Sequence, residues 1–161
     1  MNKKYDIGVM RHSLAHVMAA AVKNLYPEAK FGMGPAIENG FYYDFDLGGE
    51  GLASENLKEI ETKMKKIIGG GVKFERREIE TSEAQKIFAD QPYKLEIING
   101  LEAGGEQKVS IYQSGDFCDL CRGPHVESGK DLAIDGFKLT KIAGAYWKGS
   151  EKNKMLTRVY A

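Results

Sequence analysis

Two short motifs contain all three histidines of the chain, and in each motif a histidine lies four residues from a second proton- or metal-binding side chain. The motifs are His12-Ser13-Leu14-Ala15-His16 and Cys121-Arg122-Gly123-Pro124-His125. The first opens an apolar stretch with helical character, and residues four apart lie on one face of a helix. The imidazoles of His12 and His16 are therefore expected to point toward one place. Together with a thiol and a third imidazole, they could hold a metal ion or form a metal-free catalytic pocket.

The composition sets broad limits on the kind of protein. The chain has 161 residues, enough for one domain with a buried core. Its 23 basic and 23 acidic residues give a formal net charge of zero, so no global signal of nucleic-acid binding is present. Residues 138–158 differ, because they include six basic residues and one acidic residue. That segment could contact a phosphate backbone or be a sheet edge protected by lysines, and charge alone leaves both open.

The two cysteines, Cys118 and Cys121, form a Cys-x-x-Cys pattern. A redox pair of this kind is expected to be followed by a helix, whereas Gly123-Pro124 favours a loop. A redox pair is therefore disfavoured, and half of a zinc site is the other role that this spacing allows. No apolar run has the length of a membrane span, so we expect a cytoplasmic protein without membrane contact.

Local patterns predict both helices and strands. Residues 1–11 are expected to be lightly packed, residues 12–25 to form a helix that ends before Pro27, and residues 48–51 to form a loop. Asn39-Gly40 indicates a hairpin whose second strand has Tyr43 and Phe45 on one face. The other predicted elements are helices over 55–68, 82–89 and 92–98 and strands over 72–79, 109–113, 137–147 and 155–160. This order predicts an α+β fold, with a mostly antiparallel sheet wrapped around or packed on the central histidine-bearing helix.

Longer blocks of sequence carry a family resemblance. They are Arg11-His12-Ser13-Leu14-Ala15-His16, Gly34-Pro35-Ala36-Ile37-Glu38-Asn39-Gly40-Phe41-Tyr42-Tyr43-Asp44, Asp119-Leu120-Cys121-Arg122-Gly123-Pro124-His125, and Ala143-Gly144-Ala145-Tyr146-Trp147 followed by Asn153-Lys154-Met155-Leu156. Over nearly its whole length the chain resembles the editing domain, or second additional domain, of bacterial-type threonyl-tRNA synthetase. The resemblance implies a single editing domain over residues 1–161, without the aminoacylation and anticodon-binding domains. Either an excised domain or a freestanding editor fits this expectation.

The resemblance implies hydrolysis of seryl-tRNA(Thr), a mischarged product. Serine lacks one methyl group of threonine, and one methyl group in a binding pocket discriminates by only about 1–3 kcal/mol. Aminoacyl-tRNA synthetases are the standard example of enzymes that correct such errors at a second site. The expected partners are the acceptor end of tRNA(Thr) carrying serine and, if the domain is excised, the rest of the synthetase.

The resemblance also implies the roles of individual residues. His12 corresponds to a histidine that positions or activates water, Lys94 to a catalytic lysine, and Asp119 to the carboxylate that reads the substrate's amino group. The expected catalytic residues are His12, His16 and Lys94, and the expected substrate-binding residues are Tyr43, Asp119, Cys121 and His125. Neither His12 nor Lys94 is expected to lie in the core, so folding should survive their replacement.

Whether the site needs a metal ion distinguishes a threonyl-type editing domain from an alanyl-type one. Zinc could be held by His12, His16, Cys121 and His125, as in relatives of the alanyl type. Threonyl-type relatives work without zinc, so no cofactor is expected to be required here. One alternative function is a zinc-dependent alanyl-type tRNA deacylase, against which the Phe41-Tyr42-Tyr43-Asp44 block speaks. Another is a non-catalytic tRNA-binding module, against which the complete set of site residues speaks.

Overall fold

The computed structural model describes residues 4–49 and 51–161 of the chain. Its helices are α1 (Ile7–Leu25), α2 (Ser54–Gly69), α3 (Thr81–Ile87) and α4 (Pro92–Ala103). Its strands are β1 (Lys30–Phe31), β2 (Ala36–Ile37), β3 (Gly40–Asp46), β4 (Glu75–Glu80), β5 (Lys108–Ser114), β6 (Phe117–Leu120), β7 (Lys141–Tyr146) and β8 (Met155–Tyr160). Residues 1–3 of the predicted N-terminal segment and Glu50 of the predicted 48–51 loop lie outside the described residues. Within the described ranges, no helix combines the length and apolarity needed to cross a membrane.

The strands form two antiparallel sheets instead of one. In the larger sheet the order is β1-β3-β8-β7, and β2 also pairs with β3. In the smaller sheet the order is β4-β5-β6. All of these pairings are antiparallel, so the predicted α+β class with antiparallel strands is confirmed. A hairpin is present where Asn39-Gly40 predicted one, but Ile37 pairs with Gly40, so the two turn residues are Glu38 and Asn39 and Gly40 is the first residue of β3.

Helix α1 is the centre of the main hydrophobic core. The Asp6 side chain accepts a hydrogen bond from the Val9 backbone N–H at 3.1 Å, as an N-cap residue does. The helix therefore begins at Ile7, and the predicted start at His12 is wrong. None of the described residues from 4 to 11 is buried, so the segment is helical but lightly packed, as predicted. Ala15 and Ala19 are fully buried, and such small residues allow α2 and β3 to pack closely against α1.

The smaller sheet has one face in a second hydrophobic cluster with α3 and α4. Its buried members are Ile79, Ala84, Phe88, Ile98, Val109 and Ile111. Helix α4 continues past the end predicted at Asn99-Gly100 to Ala103. A glycine inside a helix costs about 1 kcal/mol, and burying Ile98 contributes more than that.

Strand β6 was not predicted from the sequence, although it positions the site. It has only four residues and two partly exposed side chains, so its hydrophobic alternation is too short to recognise. Tyr112 of β5 pairs with Asp119 of β6. The Cys121 backbone N–H donates to the Ser110 carbonyl at 3.1 Å, which extends the pairing to the second motif.

Candidate functional site

A cavity of about 680 Å³ lies between α1, β3, α4 and the smaller sheet. This volume is within the range of ligand-binding pockets in proteins. The cavity brings together all seven side chains singled out in the sequence, namely His12, His16, Tyr43, Lys94, Asp119, Cys121 and His125. The two sequence motifs therefore lie in one site, although His16 and Cys121 are 105 positions apart in the chain.

The histidines of α1 face His125 as their helical spacing predicts. The ring centroids of His12 and His125 are 4.6 Å apart, and those of His16 and His125 are 5.3 Å apart. His12 is half-buried at the cavity, whereas His16, one turn further along α1, is only 2% exposed. His12 is therefore the imidazole of α1 that is better placed to meet water or a ligand.

Ser13 determines which nitrogen of His125 carries the proton. Its hydroxyl donates to the Val9 carbonyl at 2.8 Å and accepts from the Val126 backbone N–H at 3.0 Å. Since the hydroxyl proton is used, the remaining contact, 3.1 Å to His125 Nδ1, is assigned as Nδ1–H donating to Ser13. The lone pair of neutral His125 then lies on Nε2, which is buried and has no hydrogen-bond partner in the described structure. Sequence reasoning gave Ser13 no role, although it lies inside the first motif.

Three of the four predicted zinc ligands form a compact donor group. One ligand atom each from His12, Cys121 and His125 lies within 4.8 Å of the other two, and His16 is not part of the group. Bond lengths of about 2.0–2.3 Å place tetrahedral zinc ligands about 3.5 Å apart. His12 Nε2 and Cys121 Sγ are 3.4 Å apart. These three side chains could therefore hold zinc and leave its fourth position open.

Without a metal, Cys121 is a thiol and not a thiolate nucleophile. Burial raises the pKa of Cys121 to about 11. Its sulfur accepts a hydrogen bond from the Gly123 backbone N–H at 3.2 Å. Gly123 has a φ of +73°, and a Cβ at this position would overlap the Tyr112 hydroxyl, so the turn requires glycine.

Cys118 lies apart from the site thiol. It packs against the second hydrophobic cluster, whereas Cys121 packs against the main core. Both cysteines are free. The Cys-x-x-Cys pattern is therefore not a disulfide in this structure.

Burial keeps the site histidines neutral near pH 7. Desolvation lowers the pKa of His16 to about 4, and it also lowers the pKa values of His12 and His125. The His16 ring packs against Phe74 and Phe117, at centroid distances of 5.3 and 4.9 Å. Both of its ring nitrogens are buried without a hydrogen-bond partner in the described structure. A neutral imidazole can accept a proton, which is the property required of a general base.

Asp119 is the centre of a buried polar group at the other side of the cavity. Lys94 Nζ lies 2.8 Å from Asp119 Oδ1, and the Tyr43 hydroxyl donates to Oδ2 at 2.7 Å. Burial and the nearby Asp119 carboxylate raise the pKa of Tyr43, so its hydroxyl remains a donor. Lys94 is 4% exposed, and the prediction that it lies outside the core is wrong. Its burial is possible because Asp119 supplies an opposite charge.

The residues on either side of Lys94 fix α4 in place. The Tyr93 hydroxyl donates to Asp46 Oδ2 at 2.6 Å, and Trp147 Nε1 donates to Glu96 Oε2 at 2.6 Å. These bonds attach the first turns of α4 to β3 and to the turn between β7 and β8. Trp147 belongs to a block that the sequence singled out without a role, and its position supplies one.

The chain is similar in sequence to one protein family and to several threonine–tRNA ligases. Residues 109–160 match the family described as the threonyl and alanyl tRNA synthetase second additional domain. The chain is 53% identical to the threonine–tRNA ligase of Dehalococcoides mccartyi over 155 residues, which are 96% of the chain and 26% of that protein. It is 53% identical to the ligase of Thermotoga maritima over 152 residues, 93% of the chain and 23% of that protein. For the ligase of Borreliella burgdorferi the identity is 50% over 150 residues, 93% of the chain and 25% of that protein.

These similarities place the chain in a class of tRNA synthetase accessory domains. It belongs to the second additional domain family, and within it to the threonyl-tRNA synthetase type. The chain spans about a quarter of the length of the relatives it matches. The region matched to the family contains Asp119, Cys121 and His125, and the longer alignments include the rest of the site.

Proposed function

We propose that this domain hydrolyses the ester bond between serine and the terminal ribose of tRNA(Thr). Its family supports a role in tRNA editing. The observation that carries the finer proposal is the pairing of two unlike groups across one cavity. On one side Asp119 is an anion held by Lys94 and Tyr43, and on the other side His12 and His125 are neutral bases.

Asp119 is suited to hold the α-ammonium group of the amino acid. A carboxylate has about four acceptor positions, and Lys94 and Tyr43 each use one of them. A charge-assisted hydrogen bond to the remaining positions would fix the ammonium and, with it, the ester carbonyl. Because Lys94 touches the same carboxylate, its ammonium lies near that carbonyl and can stabilise negative charge on the oxygen.

His12 is suited to activate the water. Its neutral imidazole accepts a proton as the water oxygen bonds to the ester carbon. The bond between that carbon and the ribose oxygen then breaks, and the imidazolium returns the proton to the ribose oxygen. The products are free serine and tRNA(Thr) with an intact terminal hydroxyl.

Selective hydrolysis of the seryl ester is the first expected result. The chain should deacylate seryl-tRNA(Thr) at least about 5-fold faster than threonyl-tRNA(Thr), because an extra methyl group against a filled wall costs roughly 1–3 kcal/mol. Both charged tRNAs are compared in parallel, with Asp119→Ala as the control that removes the ammonium contact. Equal rates on the two tRNAs would contradict the proposal. Binding of tRNA without hydrolysis would favour the non-catalytic module.

A second candidate, a zinc-dependent alanyl-type deacylase, is favoured by one observation, the donor group of His12, Cys121 and His125. Zinc held there would supply a bound water of lowered pKa. We expect instead that chelator-treated protein, shown to be metal-free by elemental analysis, keeps its rate on seryl-tRNA(Thr). His12 can act as a base without a metal, because burial lowers its pKa and leaves the imidazole neutral and able to accept a proton. Loss of the rate on chelation and its recovery with added zinc would establish the second candidate.

A further inference from the structure

Besides the groups of the proposed reaction, the cavity is lined by three basic side chains that are open to solvent, and this part of the lining is called its mouth. These are Arg76 of β4, Lys108 of β5 and Arg122 after β6, and all three are exposed. In the described part of the chain, neither Lys108 nor Arg122 forms a salt bridge. Arg76 lies 3.9 Å from Glu78, which is too far for a hydrogen bond. The mouth therefore offers cations that are available to an anionic ligand.

The strand register places Arg76 on the same side of the sheet as Asp119. Arg76 pairs with Tyr112, and Tyr112 pairs with Asp119. Directly paired residues in neighbouring strands project to the same face. Two strand spacings separate the backbones of Arg76 and Asp119 by about 10 Å.

The distance between the backbones of Arg76 and Asp119 is close to the length of one aminoacylated nucleotide. In a 3′-seryl ester, eight covalent bonds connect the α-ammonium nitrogen to the 5′ phosphorus of the same nucleotide. At about 3.5 Å for every three bonds, this path spans about 9 Å when extended. An ammonium on Asp119 therefore allows the phosphate to reach the basic mouth.

We propose that Arg76 and Arg122, assisted by Lys108, bind the 5′-phosphate of the terminal nucleotide of the charged tRNA. This inference rests on the proposed function, because it takes Asp119 as the ammonium site. Arginine suits the task, since its planar guanidinium donates two parallel hydrogen bonds to phosphate oxygens. Glu78 and Glu106 also line the cavity, and their charge weakens the attraction without removing it.

The test uses two stable analogues that differ only in the phosphate. Each has serine joined by an amide to the 3′ position of adenosine, and one of them carries a 5′-phosphate. Wild-type protein is expected to bind the phosphorylated form about 10-fold more tightly, as two charge-assisted contacts at an exposed site allow. In Arg76→Ala and in Arg122→Ala most of this preference should disappear, while affinity for the unphosphorylated form stays the same. Binding is measured by titration calorimetry at physiological ionic strength.

Two further variants test whether the phosphate preference depends on the position of the charge. Arg77→Ala is the matched control, because Arg77 is the next residue of β4, projects to the opposite face and lies 3.4 Å from Glu83. It removes the same charge and should keep the full preference. Glu78→Gln removes a competing carboxylate from the mouth and should increase the preference.

Several outcomes would overturn the proposal. They are equal binding of the two analogues by wild-type protein, binding of neither analogue, and an equal loss of preference in Arg77→Ala and Arg76→Ala. Because the amide analogues cannot be hydrolysed, the test does not depend on catalysis. A phosphate preference in a chain that fails to hydrolyse seryl-tRNA(Thr) would refute the proposed function and support the phosphate site.

Discussion

Replacing Lys94 with methionine is expected to slow hydrolysis of seryl-tRNA(Thr) by about 100-fold or more, the usual effect of losing a group that stabilises charge in the transition state. The same change should lower the free energy of unfolding by about 3–5 kcal/mol, because Asp119 would keep a buried charge without its cation. Single-turnover deacylation measures the first effect, and urea denaturation measures the second. The rate must be taken on protein shown to be folded.

A double variant separates the two effects. Lys94→Met combined with Asp119→Asn removes both charges, and the Tyr43 hydroxyl can still donate to the amide oxygen at position 119. Most of the lost stability should return, while the rate stays low. A folded Lys94→Met protein with a rate near that of the wild type would show that Lys94 serves the structure alone.

Metal-free protein is expected to lose stability as the pH falls from 6.5 toward 4. Burial lowers the pKa of His16 from 6.5 to about 4 in the folded state, so between these values the unfolded chain binds a proton that the folded chain does not. Proton binding therefore favours unfolding in this window, and His16 alone accounts for about 3 kcal/mol. The pKa values of His12 and His125 shift in the same direction, so the total loss should be larger. Urea denaturation above pH 6.5 and near pH 4 measures it.

His16→Phe is the matched variant for this prediction. It keeps an aromatic ring between Phe74 and Phe117 and removes both the titrating group and two buried nitrogens without partners. The variant should be more stable than the wild type at low pH, and its stability should vary less with pH. Parallel curves for the two proteins would show that His16 is not the group responsible. The rate of the same variant on seryl-tRNA(Thr) tests the catalytic role that the family resemblance gives His16.

Features that depend on spacing over a few residues could be predicted from the sequence alone. The four-residue separation of His12 and His16 predicted imidazoles on one helical face, and α1 has them there. Asn39-Gly40 predicted a hairpin, which is present with its turn one residue earlier, at Glu38 and Asn39. Alternation predicted that Tyr43 and Phe45 share a face, where their rings stack at 5.0 Å. These features follow from backbone geometry over a few residues, which is why one sequence suffices to predict them.

Which groups meet, and how deeply they are buried, depends on the packing of the whole chain. Asp119, Lys94 and Tyr43 come from a strand, a helix and a strand of another sheet, and nothing in their local sequence shows that they share one set of hydrogen bonds. The short strand β6, which positions Asp119, has too few residues to give a pattern and is stabilised by pairing with β5. The packed chain buries Lys94 and His16. The resulting desolvation lowers the pKa of His16 and keeps its imidazole neutral. Desolvation depends on every element around a group, and local residue types therefore cannot specify it.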